Sequence, residues 1–170
     1  MIDPALLSGI IKLTILLLIQ YASGSLVFYK GVKVNYTRKI NHFALFFVPM
    51  FIDNIIPVQP SIELLMIGSF VAIASLIIYI KPIRTNSRLI QRMFLSFDRP
   101  EDRPNTLLWL STQITVGYLI LVPIIIYFFK IGYEDLLLIP ILVNGIGDGL
   151  AAVSYTHLRA HETDSYLVCR

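Results

Sequence analysis

The sequence predicts an all-α polytopic membrane protein with about five transmembrane helices and one short amphipathic helix at the membrane interface. Of its 170 residues, 56% are hydrophobic and only 15% are charged, and the mean hydropathy is +0.72. A soluble fold of this length has too little interior to bury so much apolar surface, so we expect a bilayer to supply the apolar solvent. The apolar residues also fall into runs, most of them long enough to cross a hydrocarbon layer.

These runs divide the chain into spans joined by turns and basic connectors. The first run follows no basic segment and is long enough to cross a bilayer, which favours a span over a cleavable signal peptide. Its patch Ala22-Ser23-Gly24-Ser25 would let a neighbouring helix approach closely. Pro49 lies inside the second run and predicts a kink or a tilt. The five predicted spans are residues 6–29, 40–56, 61–80, 107–129 and 134–151, the last of them truncated.

The longest polar stretch, residues 81–106, contains the predicted amphipathic helix. Its apolar residues recur at helical spacing with basic and polar residues between them, the pattern of a helix lying on the membrane surface. These apolar residues are Leu89, Ile90, Met93, Phe94 and Phe97. The segment 99–104 then breaks the helix, and Asn105 or Thr106 can cap the next one.

The basic residues predict the orientation in the membrane. Ten of the twelve lysines and arginines before residue 153 lie in the connectors 30–39 and 81–103, whereas Lys12 and Lys130 lie on the other side. The positive-inside rule places both connectors in the cytoplasm and the amino terminus outside. We therefore expect an integral protein of a microbial cell membrane whose fifth span runs inward. Because the basic residues flank spans and do not cover a polar surface, a nucleic-acid partner is not expected.

The last residues have a different character. Val153 to Thr163 resemble the conceptual translation of a transposase-type DNA library adapter, and Tyr166 to Arg170 match its continuation in the same frame. We expect residues 1–152 to be the amino-terminal part of a helical membrane domain. Residues 153–170 are then a non-native tail, disordered or an arbitrary helix extension. Cys169 and the pair His157-x-x-x-His161, which would otherwise suggest zinc, are accordingly excluded from the site.

A single carboxylate, Asp148, stands among three glycines near the end of the last apolar run. At the bilayer centre an aspartate costs roughly 2.5–3.5 kcal/mol, so its presence calls for a reason or a shallow position. Gly147 and Gly149 leave it open as a hard-oxygen ligand, and the carboxyl-terminal end of an inward helix favours a cation. We predict Mg²⁺ at Asp148, with Asn144 one turn earlier orienting the carboxylate. Alternatively, Gly145-x-x-x-Gly149 is a packing seam and Asp148 an interfacial anchor.

A basic segment opens the second predicted span. Arg38 and His42 are four residues apart and share a helix face, where together with Lys39 they could meet an anionic group. The alternative is an ordinary positive-inside anchor.

The loop at 99–105 carries a second basic pair. Arg99 and Arg103 each precede a proline, which holds the guanidinium groups on a stiff segment suited to bidentate phosphate contacts. Glu101 and Asp102 could instead neutralise them in a solvated pair of little value. Asp53, toward the outer end of the second span, is interpreted as an interface residue.

Two of these motifs together carry a family resemblance. Arg38-Lys39-Ile40-Asn41-His42, opening one helix, and Gly147-Asp148-Gly149-Leu150-Ala151, ending a later one, resemble the polyprenol kinase family. That family includes dolichol kinase, phytol kinase and the CTP-dependent diacylglycerol kinases, and is related in look to phosphatidate cytidylyltransferases. The resemblance implies a polytopic membrane enzyme that transfers phosphate from CTP, with Mg²⁺, to a polyprenol, phytol or diacylglycerol-type hydroxyl. Arg38, Lys39 and His42 match its basic motif, and Asp148 matches the acidic residue of its glycine-flanked motif.

The mechanism implied by the resemblance is in-line phosphoryl transfer, in which catalysis is mostly orientation and charge neutralisation. Arg38 and Lys39, with Arg99 or Arg103, would bind phosphates, and Asp148 would hold Mg²⁺. The family's pattern continues beyond the aspartate with further glycines and basic residues, where this chain has the adapter-like tail. The fragment is therefore expected to be inactive. A phosphatidate cytidylyltransferase, or a transporter or structural membrane protein, remains the alternative.

Overall fold

In the computed structural model, the described residues are 3–59, 61–133, 136 and 138–147, and this part of the chain is helical without strands. The α-helices are α1 (Pro4–Lys30), α2 (Val34–Ile55), α3 (Ile62–Ser75), α4 (Lys81–Asn86), α5 (Arg88–Leu95), α6 (Thr106–Ile131) and α7 (Leu138–Leu142). Short 3₁₀ helices cover Leu76–Tyr79 and Pro100–Asp102, and a π-helical turn, Val143–Gly147, follows α7.

Three segments of the described chain are long and apolar enough to cross a membrane. They are α1, the continuous segment Ile62–Tyr79 and α6, with mean hydropathies of 1.9, 2.2 and 2.2. Gly31 and Gly132 end α1 and α6 in the left-handed conformation (φ 64° and 71°), in which glycine is the least strained residue. The predicted all-helical membrane class and the spans at 6–29, 61–80 and 107–129 are thereby confirmed at the level of length and composition.

The second helix differs from its prediction at the amino-terminal end. Residues 30–39 were expected to form a connector, but α2 begins at Val34, six residues before the predicted span. Thr37, which is fully buried, donates from its hydroxyl to the carbonyl oxygen of Ser96 (2.9 Å) and holds this first turn against a distant segment. Because the partner lies 59 residues away, local hydropathy could not show that the helix starts so early.

The small-residue patch of α1 receives the backbone of α5. A Cβ atom placed on Gly24 would lie 1.8 Å from the carbonyl oxygen of Arg92, far inside van der Waals contact. Ser23 beside it is buried as well. The predicted close approach at residues 22–25 is confirmed, and α5 is the helix that makes it.

The predicted amphipathic helix is present as α5, and most of its apolar face is covered by protein. Met93, Phe94 and Phe97 form a buried cluster with Tyr79, and side chains from α1 and α6 pack around it. Leu89, on the same helix, is 56% exposed. The periodicity therefore predicted the helix. Most of its apolar face, however, is covered by other parts of the helical bundle, whereas the sequence predicted that it would lie on the membrane surface.

An ion pair joins α1 and α2 at the end away from Arg38. Lys12 donates to a carboxylate oxygen of Asp53, and the hydroxyl of Ser8 donates to the same oxygen (3.4 Å). Asp53, interpreted from the sequence as an interface residue, thus also tethers two helices.

Several predictions fall outside the described residues. They include Asp148 and Gly149, the tail at 153–170, and those parts of the predicted span 134–151 that lie outside residue 136, α7 and the π-helical turn.

Candidate functional site

Four parts of the chain meet around Arg38 and His42: the amino-terminal half of α2, the loop 96–105, the first turns of α6, and the π-helical turn after α7. Arg38 donates from Nη1 to Oδ2 of Asp102 (2.8 Å) and from Nη2 to Oε1 of Gln113 on α6 (3.2 Å). A guanidinium is a planar fork of donors, so it can hold two acceptors from two elements at once. Arg38 therefore joins α2 to both the loop and α6.

The loop contributes a second guanidinium to the same carboxylate. Arg99 binds Asp102 in a bidentate manner: its Nε donates to Oδ2 (2.8 Å) and its Nη2 donates to Oδ1 (2.9 Å). The two guanidinium groups thus share the Asp102 carboxylate, which holds them side by side.

The electrostatics of Asp102 follow from this arrangement. The hydrogen bonds from Arg99, reinforced by the charges of Arg99 and Arg38, hold the pKa of the Asp102 carboxyl below its ordinary value of 3.8. The carboxylate is therefore ionised at neutral pH and orients both arginines. The suggestion that Asp102 neutralises Arg99 is confirmed, with Arg38 as a second partner.

Arg103 lies in a separate ion pair. Its Nε donates to Oδ2 of Asp98 (2.9 Å), while the hydroxyl of Thr106 donates to Oδ1 of the same residue (2.7 Å). This pair ties the loop to the start of α6, where Asn105 occupies the cap position without a side-chain hydrogen bond to the helix. Arg103 is thus built into the fold of the loop.

A buried polar link fixes α2 against the loop below Arg38. The hydroxyl of Ser96 donates to the carbonyl oxygen of Met93 (2.7 Å), so it accepts from the amide NH₂ of Asn41 (2.9 Å). The amide oxygen of Asn41 is buried without a hydrogen-bond partner in the described part of the chain. The link gives the basic motif a rigid base, because both polar residues are shielded from solvent.

His42 connects the basic motif to the segment that leads to Asp148. Its Nε2 lies 3.0 Å from the backbone carbonyl oxygen of Asn144, and because a carbonyl oxygen only accepts, Nε2 is the donor. One turn further along α2, Phe46 packs against Gly145, where an added Cβ would lie 3.2 Å from the ring. The π-helical turn is therefore docked on the same face of α2 as Arg38 and His42.

The remaining predicted residues have less defined surroundings. Lys39 is half-buried next to Arg38, and Gly147 is the exposed last residue of the π-helical turn. The side-chain amide NH₂ of Asn144 donates to the carbonyl oxygen of Pro140 (3.0 Å), within its own segment. Asp148 and Gly149, predicted at the metal and phosphates, lie outside the described residues. Among those that are described, no three histidine, cysteine, aspartate or glutamate side chains gather as a metal site would require.

Three residues that organise this site were not predicted from the sequence. Gln113 was read as part of an apolar span, and Asp98 and Ser96 as parts of a polar loop. A polar amide two turns inside a span is costly in lipid, and that cost was the available signal for Gln113. No comparable signal marked Asp98 or Ser96, since their roles depend on partners brought together by folding.

The fold and site together define the class coarsely. Within the residues that the structure describes, the protein is helical, has three segments that can cross a membrane, and carries a cluster of arginines tied to carboxylates. Comparison with protein-family models, curated proteins and solved structures finds no match to this chain.

Proposed function

We propose that the chain is part of an integral membrane lipid-alcohol kinase that transfers phosphate from CTP to a polyprenol, phytol or diacylglycerol-type hydroxyl. The observation that carries the proposal is the hydrogen bond between His42 and the carbonyl of Asn144. It brings the basic motif and the segment entering the glycine-flanked motif, 102 residues apart in sequence, to one place. Both motifs are needed if a nucleotide is to be held between cations and a carboxylate.

The topology we propose has five spans, with α2 as the second and the segment containing α7 as the fifth. The 22 residues of α2 would be about 33 Å long, enough to cross a bilayer. Its mixed composition fits a helix whose polar side chains face protein, as Thr37 and Asn41 do. With the basic connectors in the cytoplasm and the amino terminus outside, the arginine cluster would lie at the cytoplasmic surface of a microbial cell membrane.

The proposed roles follow the chemistry of each group. Arg38, with Lys39 and Arg99, would bind the nucleotide phosphates, and Asp102 would position the two arginines that it joins. Arg103 would support the same loop through Asp98. His42 would hold the Asn144 turn, while Gly147 and Gly149 would leave room for phosphates beside Asp148.

Magnesium would be held by Asp148, aided by Asn144. The donor chemistry of Asn144 fits this role, because its NH₂ is turned to Pro140 and its amide oxygen is a hard ligand. When bound, the ion would neutralise charge on the β- and γ-phosphates. The protein's contribution would be to fix the phosphates with guanidinium groups and to place the lipid hydroxyl in line with the γ-phosphorus.

The proposed reaction forms a bond between the lipid oxygen and the γ-phosphorus, while the bond from that phosphorus to the β-γ bridging oxygen breaks. CDP leaves with the bridging oxygen, and the hydroxyl proton is released. The products are a lipid phosphate, CDP and one proton.

The test is a product assay on the protein expressed from its complete reading frame, supplied with CTP, Mg²⁺ and a lipid alcohol. A kinase releases CDP and labels the lipid from the γ-phosphate. A phosphatidate cytidylyltransferase, given phosphatidate, releases pyrophosphate and would contradict the kinase proposal. Absence of turnover by protein that is correctly inserted, with a panel of lipid alcohols and nucleotides, would support a transporter or structural role.

A further inference from the structure

One face of α6 forms an open groove along the apolar part of the helix. The groove has a volume of about 400 Å³ and is wide open on one side. Its lining residues are Trp109, Thr112, Gln113, Val116, Gly117 and Ile120. They recur at three- and four-residue spacing, so they form one stripe about 16 Å long. Most of this lining is apolar, and the stripe belongs to a segment that can cross a membrane.

The groove meets the arginine cluster at one residue. Gln113 lines the groove and also accepts, through Oε1, the hydrogen bond from Nη2 of Arg38 (3.2 Å). Because a guanidinium only donates, the oxygen of the amide must face Arg38. The NH₂ group of the same amide is a donor suited to an alcohol or phosphoester oxygen. An apolar channel thus ends beside a polar, positively charged group.

We propose that this groove binds the hydrocarbon chain of the lipid-alcohol substrate and that Gln113 binds its hydroxyl beside Arg38. The inference rests on the proposed function for the nature of the ligand. Gln113 is then a specificity-determining residue, which selects lipids that present a hydroxyl at this depth. The lipid reaches the cluster sideways from the bilayer, and the nucleotide reaches it from the aqueous side.

Two observations favour a lipid chain as the occupant of the groove. No atom of the described residues lies within 4 Å of a Cβ added at Gly117, so the floor of the groove has room for a hydrocarbon chain. Its polar end also matches the single hydroxyl of an amphiphile, and the positive charge beside that end suits a phosphate. Apolar chains gain little by leaving lipid for the groove, so the hydrogen bond at Gln113 supplies the selectivity.

Trp109 makes a direct binding assay possible, because it is the only tryptophan of the chain and lines the groove. The full chain is reconstituted in phosphatidylcholine vesicles that contain a long-chain alcohol brominated along its chain. The matched probe is the brominated hydrocarbon of the same length without the hydroxyl, which offers no oxygen to the NH₂ group of Gln113. Quenching of Trp109 fluorescence then reports occupancy of the groove without any need for CTP or turnover.

Two variants and one control separate the parts of the inference. Gln113→Leu removes the amide and keeps an apolar side chain, whereas Gly117→Leu fills the groove. Gly68→Leu is the control, because Gly68 lies on α3 in an equally open position, with nothing within 4 Å of an added Cβ. All three exchanges place a good helix former in a helix, so the fold is expected to persist. Circular dichroism of each variant in vesicles checks this.

We expect the alcohol to quench with about fivefold higher apparent affinity than the hydrocarbon, the factor that one net hydrogen bond contributes. Gln113→Leu abolishes this preference, Gly117→Leu abolishes saturable quenching by the alcohol, and Gly68→Leu changes neither. Equal quenching by alcohol and hydrocarbon in the unsubstituted protein overturns the inference. The inference is also overturned if a second copy of the chain closes the groove. In that case the unsubstituted protein is not quenched, and Gly117→Leu dissociates an oligomer. If selective quenching occurs in a protein that makes no CDP, the lipid site stands and the kinase proposal fails.

Discussion

The Nε2 atom of His42 lies 3.0 Å from the backbone carbonyl oxygen of Asn144, joining residues that are 102 positions apart in the sequence. This contact places the π-helical turn on the face of α2 that also presents Arg38. Since Arg38 in turn holds Asp102 and Gln113, the basic motif, the arginine-bearing loop and the fifth predicted span share one end of the bundle. A mutation on any of these elements should therefore affect the same site.

Exchange of Arg38 tests whether its forked geometry matters beyond its charge. In the complete protein, Arg38→Lys keeps the charge but cannot hold Asp102 and Gln113 through two separate nitrogens, so we expect at least about a tenfold loss of kcat/KM for the nucleotide. Lys33→Ala, in the exposed residue before α2, is the matched control and should leave kinetics unchanged. Steady-state CDP release measures both. Full activity of Arg38→Lys would show that charge alone suffices.

The acid dependence of stability should report the Asp102 cluster. The pKa of Asp102 in the fold is lower than its ordinary value, so its contribution to stability is complete above about pH 4 and is lost as pH falls through the lower folded pKa. The difference in melting temperature between the unsubstituted protein and Asp102→Asn should hence be constant near neutrality and shrink in strong acid. Thermal unfolding in detergent between about pH 2 and pH 7, a range that brackets the ordinary carboxyl pKa, measures it. Glu101→Gln, at the exposed neighbouring position, is the control. A difference that does not vary with pH would contradict the assigned ion pairs.

Gly24 should be among the least replaceable residues of α1. Gly24→Ala places a methyl group against the carbonyl of Arg92 and must push α5 away, which we expect to cost about 1–3 kcal/mol of unfolding free energy. Gly9→Ala, on the same helix with nothing within 4 Å, should be neutral or stabilising by about 0.4–1 kcal/mol. Denaturant titration in micelles compares the two. Equal stabilities would mean that α5 does not pack on this patch.

The pair Lys12 and Asp53 should behave as a unit. Lys12→Met leaves the exposed Asp53 carboxylate without its cation, and the double variant Lys12→Met, Asp53→Leu removes both charges. We expect the double variant to be more stable than the sum of the two single losses predicts, with a coupling of about 1 kcal/mol because the carboxylate is 45% exposed. A double-mutant cycle of unfolding free energies measures the coupling. Strict additivity would remove the ion pair from the account.

Some elements of the fold could be predicted from the sequence and others could not, for physical reasons. Long apolar runs predicted the three crossing segments, and the patch around Gly24 predicted a close approach, because both properties are local. The same logic found α5 by its periodicity. Local patterns alone did not show that α5 packs on α1, because the sequence of one helix does not specify which other helix its buried face will contact.

The site was harder to predict because its contacts are long-range. Arg38 and Asp102 are 64 residues apart, and Arg38 and Gln113 are 75 apart. The loop charges were foreseen as mutual partners, and Asp102 does pair with Arg99, yet Arg103 pairs with Asp98 instead. Which of several nearby carboxylates a guanidinium selects depends on the path of the backbone. The role of Asp148 stays a prediction, since that residue lies outside the described part of the chain.

The most direct test of the shared site is the side of the membrane from which Asp148 can be labelled. In a chain with Cys169→Ser, single cysteines are introduced as Asp148→Cys, Glu101→Cys and Tyr133→Cys. Each is then reacted with an impermeant maleimide in oriented vesicles, with labelling after permeabilisation as the reference. We predict that positions 148 and 101 react from the cytoplasmic side and that position 133 reacts only from the other side. Labelling of position 148 from the same side as position 133 would contradict the account, because the carboxylate and the arginines could not then share a nucleotide.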